Sequence, residues 1–296
     1  MKIANLKAEI LSLALGALFL ALPLRSYAAS NADCVFETFP APPGYTLSQV
    51  QGVDDEGAVV GQVVNNKSLK FVAFRRSSRG DITLYAAPLA SSTWLYGRTG
   101  TGLESGFYQD REHPERVHGF QVQSGKFVPV NYPNVPNTWV FNANQLGAAV
   151  GSFSSSAALV RGFLLLNGNF TIIAHPDART TYPLAINDKG DVVGTYATGR
   201  ISNGFLWKDG TFTTINYPNS KYGTVLTGLN NAGVIVGNHL ADDRDLGFIL
   251  EDGVFKDVVY ETANYTTVSS INNNHLISGL IQMADTSSIG YTAMCH

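Results

Sequence analysis

An all-β fold, a six-bladed β-propeller of four-stranded blades, is predicted by three regularities in this sequence of 296 residues. The dipeptides Gly119-Phe120, Gly162-Phe163, Gly204-Phe205, Gly247-Phe248 and Gly290-Tyr291 recur every 42 or 43 residues. A glycine after a mostly apolar pair recurs beside them, at Gly61, Gly106, Gly151, Gly194, Gly237 and Gly279, and so counts six units. Short apolar runs separated by turn residues, without a helical period, fill each unit.

The unit from Thr180 to Pro218 shows the pattern most fully. Thr181 to Ile186 reads as a strand, Asn187-Asp188-Lys189-Gly190 as a turn, and Val192 to Tyr196 as a second strand. After the irregular stretch Ala197 to Asn203 come a third strand, Gly204 to Trp207, the type I′ signal Asp209-Gly210, and a fourth strand, Phe212 to Ile215. Four short strands with two tight turns and two longer loops fit a propeller blade. A β-helix has shorter coils, and two sandwich domains would not repeat internally.

The order of turns resembles the kelch-type blade, in which the first strand lines the central channel and the fourth is outermost. The apolar-Asn-x-x-Gly-x-apolar-Val-Gly turn, followed by a Gly-Phe pair and Gly-x-Phe-Thr, resembles the bacterial extracellular HAF repeat family, most closely from His118 to Gly279. The family's His-Ala-Phe stands here as His118-Gly119-Phe120, Arg161-Gly162-Phe163 and Asn203-Gly204-Phe205, and the stretch Arg98 to Gly106 departs from the pattern. The resemblance implies architecture and secretion, and no particular activity.

Lys2 and Lys7, the uncharged run Ile10 to Leu22 and the small-residue site Ser26-Tyr27-Ala28 predict a signal peptide over residues 1–28, cut after Ala28. Such a run is too short for a membrane span. Residues 29–296 then form one propeller, secreted to the periplasm or the extracellular space, in an oxidising setting. Cleavage removes three basic residues and one acid, taking the formal charge from −3 to −5 and leaving no basic field for nucleic acid. A monomer with no membrane span is expected.

Counting from the glycines leaves the last unit with three strands and makes Cys34 to Phe39 an orphan fourth strand, so the termini complete one blade together. On the repeat, Cys34 falls at the position of Phe170 and Phe212, and Cys295 at that of Asn167 and Asp209. These positions flank one hairpin turn. A Cys34–Cys295 disulfide is therefore expected, against the alternative of two buried thiols.

Ser48, Thr93, Thr138, Thr181, Thr224 and Thr266 put a hydroxyl at the start of every channel strand; a nucleophile is needed once, so this column reads as structural. Asn187-Asp188, Asn230-Asn231 and Asn272-Asn273 read as turn chemistry, because they lack the clustered carboxylates of a calcium loop. No metal site and no cofactor are expected.

Function should lie where units differ, which is in the loops after the second and fourth strands, on the face opposite the tight turns. Those loops carry Asp110, Arg111, Glu112, His113 and His118, then His175, Asp177 and Arg179, then Arg200, His239, Asp242, Asp243 and Arg244. Trp94, Trp139 and Tyr182 occupy one position in three successive units, an arc at the channel mouth that could stack on pyranose rings. Packing between blades is the other use for such rings. Trp94, Trp139, Tyr182, Arg111, His113, His118 and Arg200 are the ligand-binding candidates.

No nucleophile elbow, zinc spacing or phosphate loop is present. A lyase could draw on His175, Arg179, His239 and Arg244, and a hydrolase on paired loop carboxylates. Binding of a polysaccharide or cell-surface ligand is ranked first, an enzyme acting on polysaccharide second, and a pure scaffold third.

Overall fold

The computed structural model describes residues 30–156, 159–241 and 244–295. Residues 1–28, the expected signal peptide, and the candidates Asp242 and Asp243 lie outside them. Six antiparallel four-stranded sheets follow one another along the chain. Their innermost strands are Tyr45–Val53, Ala90–Arg98, Asn137–Ala143, Thr180–Ile186, Thr224–Leu229 and Ala263–Ile271. In the fourth blade Thr180–Ile186 pairs with Val192–Thr198, that with Ile201–Lys208, and that with Thr211–Thr214. The strands predicted from one unit are thus matched to within a few residues. Single parallel bridges stitch neighbours together, as at Val117 with Asn137, Val160 with Thr180 and Leu246 with Thr266.

The sixth blade is closed by both ends of the chain. Cys34–Phe39 pairs antiparallel with Ser288–Cys295, Cys34 opposite Cys295 and Phe39 opposite Gly290. The two cysteines are joined in a disulfide with their Cα atoms 4.1 Å apart. Ahead of this strand, Ser30–Asn31 adds a short parallel pairing to Val254–Val258 of the fifth blade.

The repeated residues hold blades together. Phe74, Phe120, Phe163, Phe205, Phe248 and Tyr291 are all fully buried between sheets. A Cβ on Gly106, Gly151 or Gly194 would fall on the carbonyl oxygen of Trp94, Trp139 or Tyr182 of the channel strand, so this column admits no side chain. The hydroxyl column accepts backbone N–H groups across the blade junctions, from Tyr132 to Thr138 at 3.0 Å, His175 to Thr181 at 3.1 Å and Tyr217 to Thr224 at 2.9 Å. At the outer hairpins Asn167-Gly168, Asp209-Gly210 and Asp252-Gly253 have positive φ at both residues, as a type I′ turn requires.

Candidate functional site

The channel has unlike ends. At the tight-turn end, each Asn of the first turn accepts backbone N–H groups within its own turn, as Asn144 Oδ1 does from Leu146 and Ala148. Its amide then reaches the next blade: Asn144 Nδ2 donates to Asn187 O at 3.0 Å, Asn187 to Asn230 O at 3.3 Å, Asn230 to Asn272 O at 3.3 Å and Asn272 to Asp54 O at 2.7 Å. A second tier runs from Gln145 through Asp188, Asn231 and Asn273 to Asp55, and Gln145 Nε2 closes it by donating to Asp55 Oδ2 at 3.2 Å across Gly100. The Asn pairs therefore form the turns and also cinch the mouth, leaving a space of about 70 Å³.

This ring is interrupted at the second blade, where Thr99 stands in place of Asn. An ionic network takes over. Arg98 Nε donates to Asp54 Oδ2 at 2.7 Å and its Nη1 to Glu104 Oε1 at 2.8 Å, while Arg75 Nη2 meets Glu104 Oε2 at 2.5 Å. Burial alone would lower the pKa of Arg98, but hydrogen bonds and charge from Asp54 and Glu104 outweigh it and the net shift is upward. The departure of Arg98 to Gly106 from the repeat thus has a structural cause.

Toward the other end the channel widens into a cavity of about 550 Å³. Its lining runs from Gln51 and Asn142 to Tyr265, Gln282 and Ser288, beside the loops that follow the second strands. One side is apolar: Tyr96, Phe141 and Leu184, from the second, third and fourth blades. These lie two residues beyond Trp94, Trp139 and Tyr182 on the same strands, and strand alternation is the signal that could have found them. Facing them are Gln49, Gln51, Thr227, Asn238, Thr267 and Ser269, with Val225 and Leu280 set among these polar groups.

The aromatic side is continuous. Phe71 meets Trp94 at 5.1 Å, Trp94 meets Phe107 at 5.1 Å, Phe107 meets Tyr96 at 5.2 Å, Tyr96 meets Phe141 at 5.3 Å and Phe141 meets Tyr182 at 6.5 Å between ring centroids. Burial pushes the Tyr96 hydroxyl up to about 12 and that of Tyr182 upward, so both rings stay neutral. Trp94 packs between Phe71 and Phe107, while Trp139, half-buried, holds the equivalent place on the third blade.

The loop candidates do not gather in this cavity. Arg111 and His113 lie in one loop of the second blade, whereas His118, expected there too, lies on the strand Val117–Gln123, paired with Tyr108. Arg111 donates to Ala90 O at 3.3 Å, His113 lies 3.5 Å from Glu115, and His118 Nε2 lies 3.6 Å from Asp110. Asp110 Oδ1 accepts the N–H groups of His113 and Glu112, which hold its carboxyl below the usual range. With Arg116, His118 lines a separate shallow groove that also touches Asn134 and Pro136.

Glu112, Asp177, Arg179 and Arg200 are exposed on their own loops, and Arg244 lies on the strand Arg244–Glu251. His175 and His239 belong to a recurring stack. Tyr132 lies on Phe153 at 3.6 Å, His175 on Tyr196 at 3.8 Å and Tyr217 on His239 at 3.5 Å, each pair nearly parallel. Side chains that fill one repeated inter-blade slot are accounted for by packing. His239 is buried there, 3.5 Å from Asp257, whose carboxylate also accepts from Tyr217 Oη at 2.9 Å. Among the described residues, no cluster of His, Cys, Asp or Glu suited to a metal ion occurs.

No known family's sequence profile matches the chain, and no curated protein matches it in sequence. Solved structures match it over most of their lengths. AofleA from Arthrobotrys oligospora aligns with TM-score 0.58 at 10% identity, covering 88% of this chain and 86% of its own. A lectin of Aleuria aurantia in complex with Fucα1-6GlcNAc aligns with TM-score 0.53 at 9% identity, over 84% and 91%. Virginiamycin B lyase from Staphylococcus aureus, bound to quinupristin, aligns with TM-score 0.50 at 12% identity, over 88% and 99%. At such identities the likeness establishes the fold, a β-propeller.

Proposed function

We propose that this chain is a secreted propeller of the HAF-repeat type that binds a glycan in its central cavity, reached from the face bearing the loops after the second and fourth strands. The observation that carries this reading is the two-sidedness of the cavity. Pyranose rings have an apolar C–H face and a hydroxyl rim, and Tyr96 and Phe141 stand opposite a rank of amides and hydroxyls that could serve both. The opposite mouth, cinched by its ring of amides, leaves a space of about 70 Å³ against about 550 Å³ in the cavity, which favours the wide end as the way in.

Binding suits the cavity better than hydrolysis does. Glycoside hydrolysis uses two facing carboxyl groups, and among the described lining residues the cavity has one, Asp245. A lectin among the structural neighbours is in keeping with a binding role without assigning one.

Phe141→Leu keeps the wall filled but removes the aromatic face. Calorimetric titration against the oligosaccharide that binds the parent should show affinity falling about tenfold, with the melting temperature little changed. Unchanged affinity would place the ligand elsewhere.

Export is supported by the basic, apolar and small-residue segments of the N-terminus, and the disulfide is at home in an oxidising compartment. Expressed with its leader, the chain should leave the cytoplasm and begin at Ala29 by mass spectrometry. An intact Met1 on all of the protein would refute export.

A further inference from the structure

The second-strand residue that follows each column glycine reaches across to the next blade in three places. Ser152 Oγ donates to Thr181 O at 3.2 Å, Thr195 Oγ1 to Thr224 O at 3.5 Å, and Asn238 Nδ2 to Val268 O at 2.8 Å. In the first blade this position is Gln62, and it behaves differently. Its side chain stays within its own blade and donates from Nε2 to Gln49 Oε1 at 2.8 Å, while Gln51 Nε2 donates to the same oxygen at 2.5 Å. Gln62 is 1% exposed, and its Oε1 has no hydrogen-bond partner.

A buried amide with an idle acceptor costs free energy that a Leu or Met of similar size would not. What the arrangement accomplishes is visible at Gln49. With Oε1 held by two donors, the Gln49 amide can turn only its Nε2 group to the cavity, across from Tyr96 and Phe141. The donors therefore meet a ligand that offers oxygen acceptors.

The cavity's charge narrows the ligand further. Among the described lining residues Asp245 is the single ionised group, and no Lys, Arg or His stands among them. A uronate carboxylate would enter without a cation to meet it and with Asp245 to repel it.

Resting on the glycan-binding reading above, we propose that the cavity selects a neutral, hydroxyl-rich pyranoside over an acidic one, and that Gln62 is the positioning residue that aims Gln49 at it. Arg111, His113, His118, His175, Arg179 and Arg200 are not among the residues that line the cavity.

The test uses the mature protein, with neutral trisaccharides (cellotriose, mannotriose, galactotriose) and trigalacturonic acid as probes at physiological salt. At least one neutral sugar should bind, and trigalacturonic acid should bind at least about tenfold more weakly than the tightest of them. Gln62→Met should weaken the neutral sugar about tenfold, Gln49→Ala should do the same, and Gln62→Met should add almost nothing when Gln49 is already Ala. Equal losses in both backgrounds would mean that Gln62 acts through packing, and the positioning role would fall. Should Gln62→Met fail to fold, Gln49→Ala decides alone, because unchanged affinity there overturns the role. Trigalacturonic acid bound as tightly as the neutral sugars would overturn the selectivity; the cavity reading would survive if Phe141→Leu still weakened that binding. If no sugar binds at all, the cavity reading fails and this inference with it.

Discussion

Glu104→Ala is expected to lower the free energy of unfolding by about 3 to 5 kcal/mol, the cost of stranding buried charge. Glu104 is 2% exposed and takes hydrogen bonds from both Arg75 and Arg98. Asp54 and Glu104 balance two guanidinium groups. Removing one carboxylate leaves a net positive charge between the first two blades, where the ring of Asn amides is interrupted. For a chain of this size the loss corresponds to a fall of roughly 10 °C in melting temperature. Urea titration reads it directly, and a loss under about 1 kcal/mol would mean the network behaves as a solvated surface pair. Because Asp54 is also buried, added salt should do little to reduce the loss.

Cys295→Ser should be comparably damaging, for a different reason. The bridge joins residues 261 apart in sequence, and a crosslink over so long a loop stabilises by about 4 to 5 kcal/mol when native strain is small. Melting temperature should fall by about 10 °C, and reducing agent should bring the parent to the same value. Backbone pairing of Cys34–Phe39 with Ser288–Cys295 remains, so the β-rich circular dichroism should persist at room temperature. A parent melt indifferent to reductant would show that strand pairing alone holds the ring shut.

Much of this fold is legible in the sequence because blades must recur to pack. The Gly-Phe and Gly columns mark where backbone meets backbone, and an incomplete last unit beside an orphan first strand implies a shared blade. The cysteines then follow from their places on the repeat. Less could be read where the meaning of a residue depends on a neighbour in another blade. Asn187 and Asp188 have the composition of a turn whether or not they also bond across the mouth. Arg98 stands out as a departure, yet its partner Asp54, and Arg75 with which it shares Glu104, come from another unit that looks regular.

The candidate site was legible in part. Counting loop differences finds exposed polar residues such as Arg111, His113 and Arg200, but variable loops diverge in space as readily as they converge. It also selects His175 and His239, whose common role appears only when Tyr196 and Tyr217 are seen stacked on them. Trp94 and Trp139 lie on the strands that carry Tyr96 and Phe141, which line the cavity one alternation deeper. Gln62 carries no mark in one dimension, since an amide beside a glycine is common on strands.

The most direct test of the account is a crystal structure with the neutral trisaccharide that binds tightest. The account predicts the sugar in the central cavity, one ring face against Phe141 or Tyr96 and a hydroxyl within hydrogen-bond reach of Gln49 Nε2. Density for the sugar on the outer strands or in the groove of Arg116 and His118, with the cavity holding only water, would contradict it.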